Sequence, residues 1–298
     1  MNFEFNNNYI QEYGIKQFCD IFVKDLLKLN STKLQLSSIK IGDEGIEYII
    51  KVFELNIVFL NLYCCNITNY GIKIITESLI CLKLENLILA ENPIGDEGIK
   101  YFTESFIKFK SLKYLMLDNI NISEIGIKSI AELLTKKYSK QLIGLSLGDN
   151  NINGKKLEFI TESLKTNKYL KFLDLGDNNI NSDETKFIAD VLKINKTLEN
   201  LNLAKNNIDK TGIEIIIESL KTNKSIINLV ICLSSYYNIK SQYPNEIYTI
   251  NELLKNNKIN KEIIKNECAE EKIYFAISTK QSHWYMEFLE FFDDINLI

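Results

Sequence analysis

The sequence predicts an α/β solenoid, and three observations lead there. The stretch Leu170 to Ile180, LKFLDLGDNNI, sets Leu170, Leu173 and Leu175 at relative positions 1, 4 and 6, with Asn178 at 9 and Ile180 at 11. Leu173 and Leu175 alternate like neighbours on one face of a strand. The pattern returns with its second leucine at Leu34, Leu60, Leu87, Leu115, Leu145, Leu173, Leu201 and Leu229, at intervals of 26 to 30 residues. Between returns the apolar spacing switches to three and four, as at Ile213, Ile216, Ile217 and Leu220, the period of a helix packed on one side. A chain that repeats strand, turn and helix at a nearly fixed length buries each unit against its neighbours.

Taken in order, the chain opens inside a repeat. Phe3, Phe5, Asn8 and Ile10 fit positions 4, 6, 9 and 11, and Gly14 and Ile15 begin a helical pattern with Phe18, Phe22 and Leu26. In five later units a glycine precedes an isoleucine at the helix start: Gly45, Gly71, Gly98, Gly126 and Gly212. Glycine there supplies either an unusual backbone conformation or a close approach that a side chain would hinder. Lys156 and Glu184 replace it in two units. The helices end in the connectors LKTNKYL, LKINKTL and LKTNKSI, where Asn167, Asn195 and Asn223 are helix-terminating residues.

Asparagine at position 9 follows from the turn after each strand, whose backbone groups lose their ladder partners. A buried amide offers two donors and an acceptor to them. Asn92, Asn150, Asn178 and Asn206 are expected to stack, Cys65 substitutes once, and Ile39 and Ile120 break the ladder. After Leu229 the pattern fades through LSSYYNIKSQYPNEI, which reads as a loop containing Pro244. A helix resumes near Asn251 to Lys255, and Ile263 and Ile264 open a last degenerate strand. The organisation is then a solenoid over residues 1–265 and a helical C-terminal cap or tail over 266–298, with Trp284, Phe288, Phe291 and Phe292 on its apolar side.

The segments LDLGDNNI, LNLAKNNI and LILAENPI, with GDEGI and the LKxNKxL connectors, resemble the ribonuclease-inhibitor-like subtype of the leucine-rich repeat family over about residues 1–265. The resemblance implies a right-handed horseshoe with parallel strands inside and helices outside. The subtype includes ribonuclease inhibitors, sensor domains of nucleotide-binding immune receptors, tropomodulin-like actin-binding caps and Ran-type GTPase activators, which share a fold and not one activity.

Composition narrows the function. A net charge of -4 and a pI of about 5.4 argue against nucleic acid as the partner. All the cationic residues are lysine, so no arginine finger comes from this chain. The six cysteines form no CxxC pair and sit mostly in apolar runs, which reads as buried thiols in a reducing compartment. His283 is the single histidine and has no second to complete a metal set. No phosphate-loop, dinucleotide or zinc-protease motif is present. No run of about 18 apolar residues suggests a membrane span. These readings expect a cytoplasmic, monomeric, non-enzymatic protein without cofactor.

Strand alternation directs positions 3, 5, 7 and 8 of each unit away from the core, onto the concave face. Phe59, Tyr63, Ile88, Tyr114, Met116 and Phe172 there make an apolar, aromatic patch. Glu91, Asp118, Asp149, Asp174 and Asp177 make an acidic edge beside it. Aromatic anchors with a charged surround suit a protein partner with a basic patch. The alternative reading is a GTPase activator resembling the Ran-type members.

Overall fold

The computed structural model describes residues 10–11, 14–29, 31–49, 57–78, 83–231 and 243–265. The chain divides into two compact units, Met1–Asn257 and Lys258–Ile298. The first holds eight three-residue strands: β1 Lys33–Gln35, β2 Phe59–Asn61, β3 Asn86–Ile88, β4 Tyr114–Met116, β5 Gly144–Ser146, β6 Phe172–Asp174, β7 Asn200–Asn202 and β8 Asn228–Val230. They form one parallel sheet in sequence order. The leucine at each strand centre pairs with the leucine of the next, from Leu34↔Leu60 to Leu201↔Leu229. This is the register that the leucine spacing predicts.

A helix precedes β1 and one follows each described turn: α1 Ile15–Leu29, α2 Gly42–Ile49, α3 Asn69–Ser78, α4 Gly95–Ser105, α5 Glu124–Thr135, α6 Gly154–Thr166, α7 Thr185–Ile194, α8 Lys210–Leu220 and α9 Pro244–Lys265. The leucines of positions 4 and 6 and the inner isoleucines of the helices merge into one apolar core cluster. Phe102, Phe106 and Phe109 fill a wider part of it, with ring centroids 5.1 to 6.1 Å apart.

The asparagine ladder closes the turns. Asn178 Oδ1 accepts the N–H groups of Asn150 (3.0 Å) and Ile152 (2.9 Å), and its Nδ2 donates to the carbonyls of Leu147 and Gly176. Asn206 repeats the scheme on Asn178 and Ile180. Cys65 substitutes by donating its thiol to the carbonyl of Leu36 at 3.0 Å. Ile120 is buried at the same position and donates its N–H to Asn150 Oδ1, but its side chain has no group to bond back to the preceding turn. The turns are tight enough to place Glu91, Asn119, Asp149, Asp177 and Lys205, all at position 8, in the left-handed region with φ between 47° and 59°.

Of the two readings of glycine before isoleucine, close approach is the one observed, since none of the five has a positive φ. A Cβ on Gly126 would lie 2.4 Å from Ile122 Cγ1 and 2.6 Å from Asp96 Oδ1, and one on Gly98 would lie 3.1 Å from Asn69 Cα. Each helix start is therefore pressed against the preceding unit. Positive φ belongs to a different set at the helix entry, Gly14, Gly42, Gly95 and Gly154.

Two expectations change. Asn167 and Asn195 do end α6 and α7, but with Asn223 they also build a second buried ladder at the opposite end of the units. Asn195 Nδ2 reaches the carbonyl of Leu164 at 2.7 Å, and Asn223 Nδ2 that of Leu192 at 2.7 Å. Each Oδ1 meanwhile accepts two N–H groups of the connector that leads to the next strand, those of Thr197 and Leu198 or of Ser225 and Ile226. The other change concerns Ile263 and Ile264, which belong to α9 and do not open a strand, because the helix continues to Lys265. The expectations for Phe3, Phe5, Asn8, His283 and the 266–298 tail fall outside the described residues.

Candidate protein-binding face

Positions 3 and 5 occupy the sheet face opposite the helices, as alternation from the core leucines requires, while position 8 stands on the left-handed turn after each strand. Ile88 and Met116 illustrate it, since both lie outside the core cluster between sheet and helices. They are nevertheless only 1% and 3% exposed, and Asp174 only 8%. Their expected place on an open surface is therefore corrected. The register supplies the reason. Parallel strands stack about 4.8 Å apart, so each position-5 side chain is flanked by its counterparts on both neighbouring strands. Asn61, Ile88, Met116, Ser146, Asp174 and Asn202 form this covered column, and all are buried.

Phe59, Tyr63, Glu91, Tyr114, Asp118, Phe172 and Asp177 are half-buried and Asp149 is exposed. Tyr114 and Phe172 come together because Gly144 lies between them in register. Their rings meet edge-on with centroids 6.3 Å apart, and a Cβ on Gly144 would stand 2.5 Å from Tyr114 Cδ1. Burial, followed by the Glu85 charge, pushes the Tyr114 phenol up to about 12, so this ring is neutral.

Beside the pair the acidic residues separate into two groups. Glu91, Asp149 and Asp177 stand on the left-handed turn at position 8. Lys205 occupies the same position one unit on, with its Nζ 3.8 Å from Asp177 Oδ2. Partial desolvation raises the Asp149 carboxyl, the Asp177 charge adds to that, and Lys205 opposes it.

Asp118 and Asp174 turn inward. Asp118 Oδ1 accepts the Ser146 hydroxyl at 2.5 Å and the Gly148 N–H at 2.8 Å. Asp174 Oδ1 accepts the Gly176 N–H at 2.7 Å and Asn202 Nδ2 at 2.9 Å. Glycine is what admits these carboxylates, since a Cβ on Gly148 would lie 2.7 Å from Asp118 Oδ1 and one on Gly176 3.1 Å from Asp174 Oδ1. Burial pushes Asp174 up to about 7, with the Asp118 charge adding to it, and burial pushes Asp118 up to about 6, with Glu91 adding.

Sequence reading did not single out Ser146, Asn202 or the three glycines as shaping this face. The signal was present in the repeat alignment, where small and polar residues fill positions 5 and 7 of the fifth to seventh units. Among the described residues no group of three or more His, Cys, Asp or Glu is placed to hold a metal ion, and no helix is long and apolar enough to cross a membrane.

Comparison with known proteins agrees with this architecture. The family model described as Leucine Rich repeat matches residues 81–102, 166–183 and 195–216. The chain is 30% identical over 156 residues to the human NACHT, LRR and PYD domains-containing protein 2, covering 50% of this chain and 14% of that protein. It is 29% identical over 160 residues to the mouse NACHT, LRR and PYD domains-containing protein 14, covering 49% of this chain and 16% of that one. The chain thus spans about one seventh of the length of the curated relatives it matches. Among solved structures, Leiomodin-1 Actin-Binding Site 2 aligns over 57% of this chain and 94% of its own, with a TM-score of 0.49 and 17% identity. With the repeat spacing, the in-register parallel sheet and the family match in agreement, the chain is a leucine-rich repeat protein whose units are consistent with the ribonuclease-inhibitor-like subtype.

Proposed function

We propose that this protein is a non-enzymatic interaction module that holds a protein partner, one bearing a basic patch, on the helix-free face of its sheet. The observation that carries the reading is the Tyr114–Phe172 pair seated over Gly144. These rings lie outside the core cluster, and aromatic side chains in such places anchor interfaces. Glu91, Asp149 and Asp177 rim the pair and suit lysine or arginine on the partner. Free thiols at Cys19, Cys64 and Cys65 support a reducing, cytoplasmic setting, and the acidic balance supports a protein rather than a nucleic-acid partner. The module is read as a monomer without cofactor. No observation on this face favours the GTPase-activator alternative.

The test is capture from a lysate of the source cell with the intact chain and with Phe172→Ala. A partner retained by the first and lost by the second supports the reading. A partner held equally by both, and lost instead on changing the exposed helix residues Tyr70 or Ile125, refutes it.

A further inference from the structure

The centre of the helix-free face carries two carboxylates that the proposed binding reading does not use. Ser146 and Asp174 are register partners on β5 and β6. Asp118 reaches across from the preceding unit to take the Ser146 hydroxyl and the Gly148 N–H. Asp174 takes the Gly176 N–H and the Asn202 amide. These four hydrogen bonds all fall on an Oδ1 atom, and Ser146 also acts on the Asp174 carboxyl, so one hydroxyl stands between the two carboxylates.

The groups facing the cluster do not neutralise it. Glu91 adds negative charge against Asp118, whose own charge acts in turn on the phenol of Tyr63. Asp149 and Asp177 stand on the turns after β5 and β6, and Lys205 sits against Asp177. At position 2 Lys113 pairs with Glu85 at 2.9 Å and Lys171 with Glu199 at 3.3 Å. Neither Asp118 nor Asp174 makes an ion pair among the described residues. Two neighbouring, inward-turned carboxylates without a cation cannot both ionise freely.

We propose that folding makes the Asp118–Ser146–Asp174 cluster take up a proton, so that the centre of this face is a pH-responsive element, less negative in acid and fully charged in base. The raised carboxyls of both aspartates support this. The sign follows from linkage. The folded chain binds more protons than the unfolded one between the ordinary aspartate range near 4 and the raised values of about 6 for Asp118 and about 7 for Asp174. Stability therefore falls as pH rises through that window. The proposal concerns the free chain and stands or falls apart from any partner.

Two measurements on the full chain test it. In the first, aspartate carboxyl carbons labelled with 13C are titrated by NMR, with assignment from Asp118→Asn and Asp174→Asn. At least one signal from this pair is expected to titrate with its midpoint above pH 5.5. Midpoints below about 4.5 for both, the ordinary range, overturn the proposal. In the second, urea unfolding is followed from pH 5 to pH 8. The unfolding constant of the natural chain is expected to rise by up to about tenfold per pH unit, the slope of one proton. The double variant Asp118→Asn/Asp174→Asn is expected to lose most of that slope while keeping His283, so the histidine cannot supply the difference. A double variant with the natural slope overturns the proposal. If the variants do not fold, the titration of the natural chain still decides, its high-midpoint aspartates being assigned from backbone-correlated spectra.

Discussion

Replacing Asn178 by alanine tests the physical account of the repeat at one atom group. The side chain is wholly buried and makes four hydrogen bonds. The substitution orphans two buried donors, the N–H groups of Asn150 and Ile152, in the preceding turn. The carbonyl of Gly176 keeps a partner, because it also accepts the Asp149 N–H at 3.0 Å. Each buried donor left without a partner costs about 1–3 kcal/mol, and water entering the vacated space recovers part of that. The expected loss is about 2–4 kcal/mol, compared with under about 0.5 kcal/mol for the exposed helix residue Lys128→Ala. Urea denaturation measures the total. Amide hydrogen exchange locates it, because protection should fall first at Asn150 and Ile152 and not at the β1 end. A neutral substitution, or lost protection spread evenly over the sheet, would refute the ladder as the element that closes these turns.

Other substitutions separate the remaining contributions. Leu175→Ala removes a core leucine and should cost about 2–5 kcal/mol by cavity formation in the same denaturation assay. Gly126→Ala drives a methyl against Ile122 and Asp96 and should cost about 1–3 kcal/mol, although alanine is the better helix former. Phe172→Ala and Tyr114→Ala should each weaken partner binding by about 2 kcal/mol or more by calorimetry. Because the two rings touch, each should also cost about 0.5–1.5 kcal/mol of stability. Asp149→Lys and Asp177→Lys should slow association in stopped-flow experiments, with the effect shrinking at high salt. The fold should tolerate both, since Lys205 already occupies the same left-handed position.

The fold was legible wherever one residue type answers one local requirement. Leucines two apart gave the strands, and their spacing gave the register that joins Leu34 to Leu229. Asn178 gave the ladder because the turn has few other means of meeting its donors. Asn167, Asn195 and Asn223 were read only as helix ends. Their second task, bonding one unit's connector to the previous one, needs a neighbour about 28 residues away in sequence. The extension of α9 was not legible because the connector pattern returns at Asn257 without the strand that followed it before. There Asn257 Nδ2 still reaches the carbonyls of Asn223 and Ile226, but Oδ1 finds no partner among the described residues.

The candidate face was legible in direction and not in exposure, and the repeat geometry explains the difference. Alternation along one strand says which way a side chain points. Exposure depends on what stands beside it on the two flanking strands, so the informative sequence runs across the units. Reading position 5 in that direction gives Asn61, Ile88, Met116, Ser146, Asp174 and Asn202. The apolar members cover one another. The polar members must find partners inside the sheet, because the strand backbone is already used by the ladder. Asn202 meets Asp174, Ser146 meets Asp118 from position 7, and glycine at positions 144, 148 and 176 leaves the room. This column is thus satisfied without a partner. The row above it is more exposed, and there the half-buried Tyr114 and Phe172 close over Gly144. In the proposed reading, binding energy on this face belongs to the rings, and the inward carboxylates set the charge beneath them.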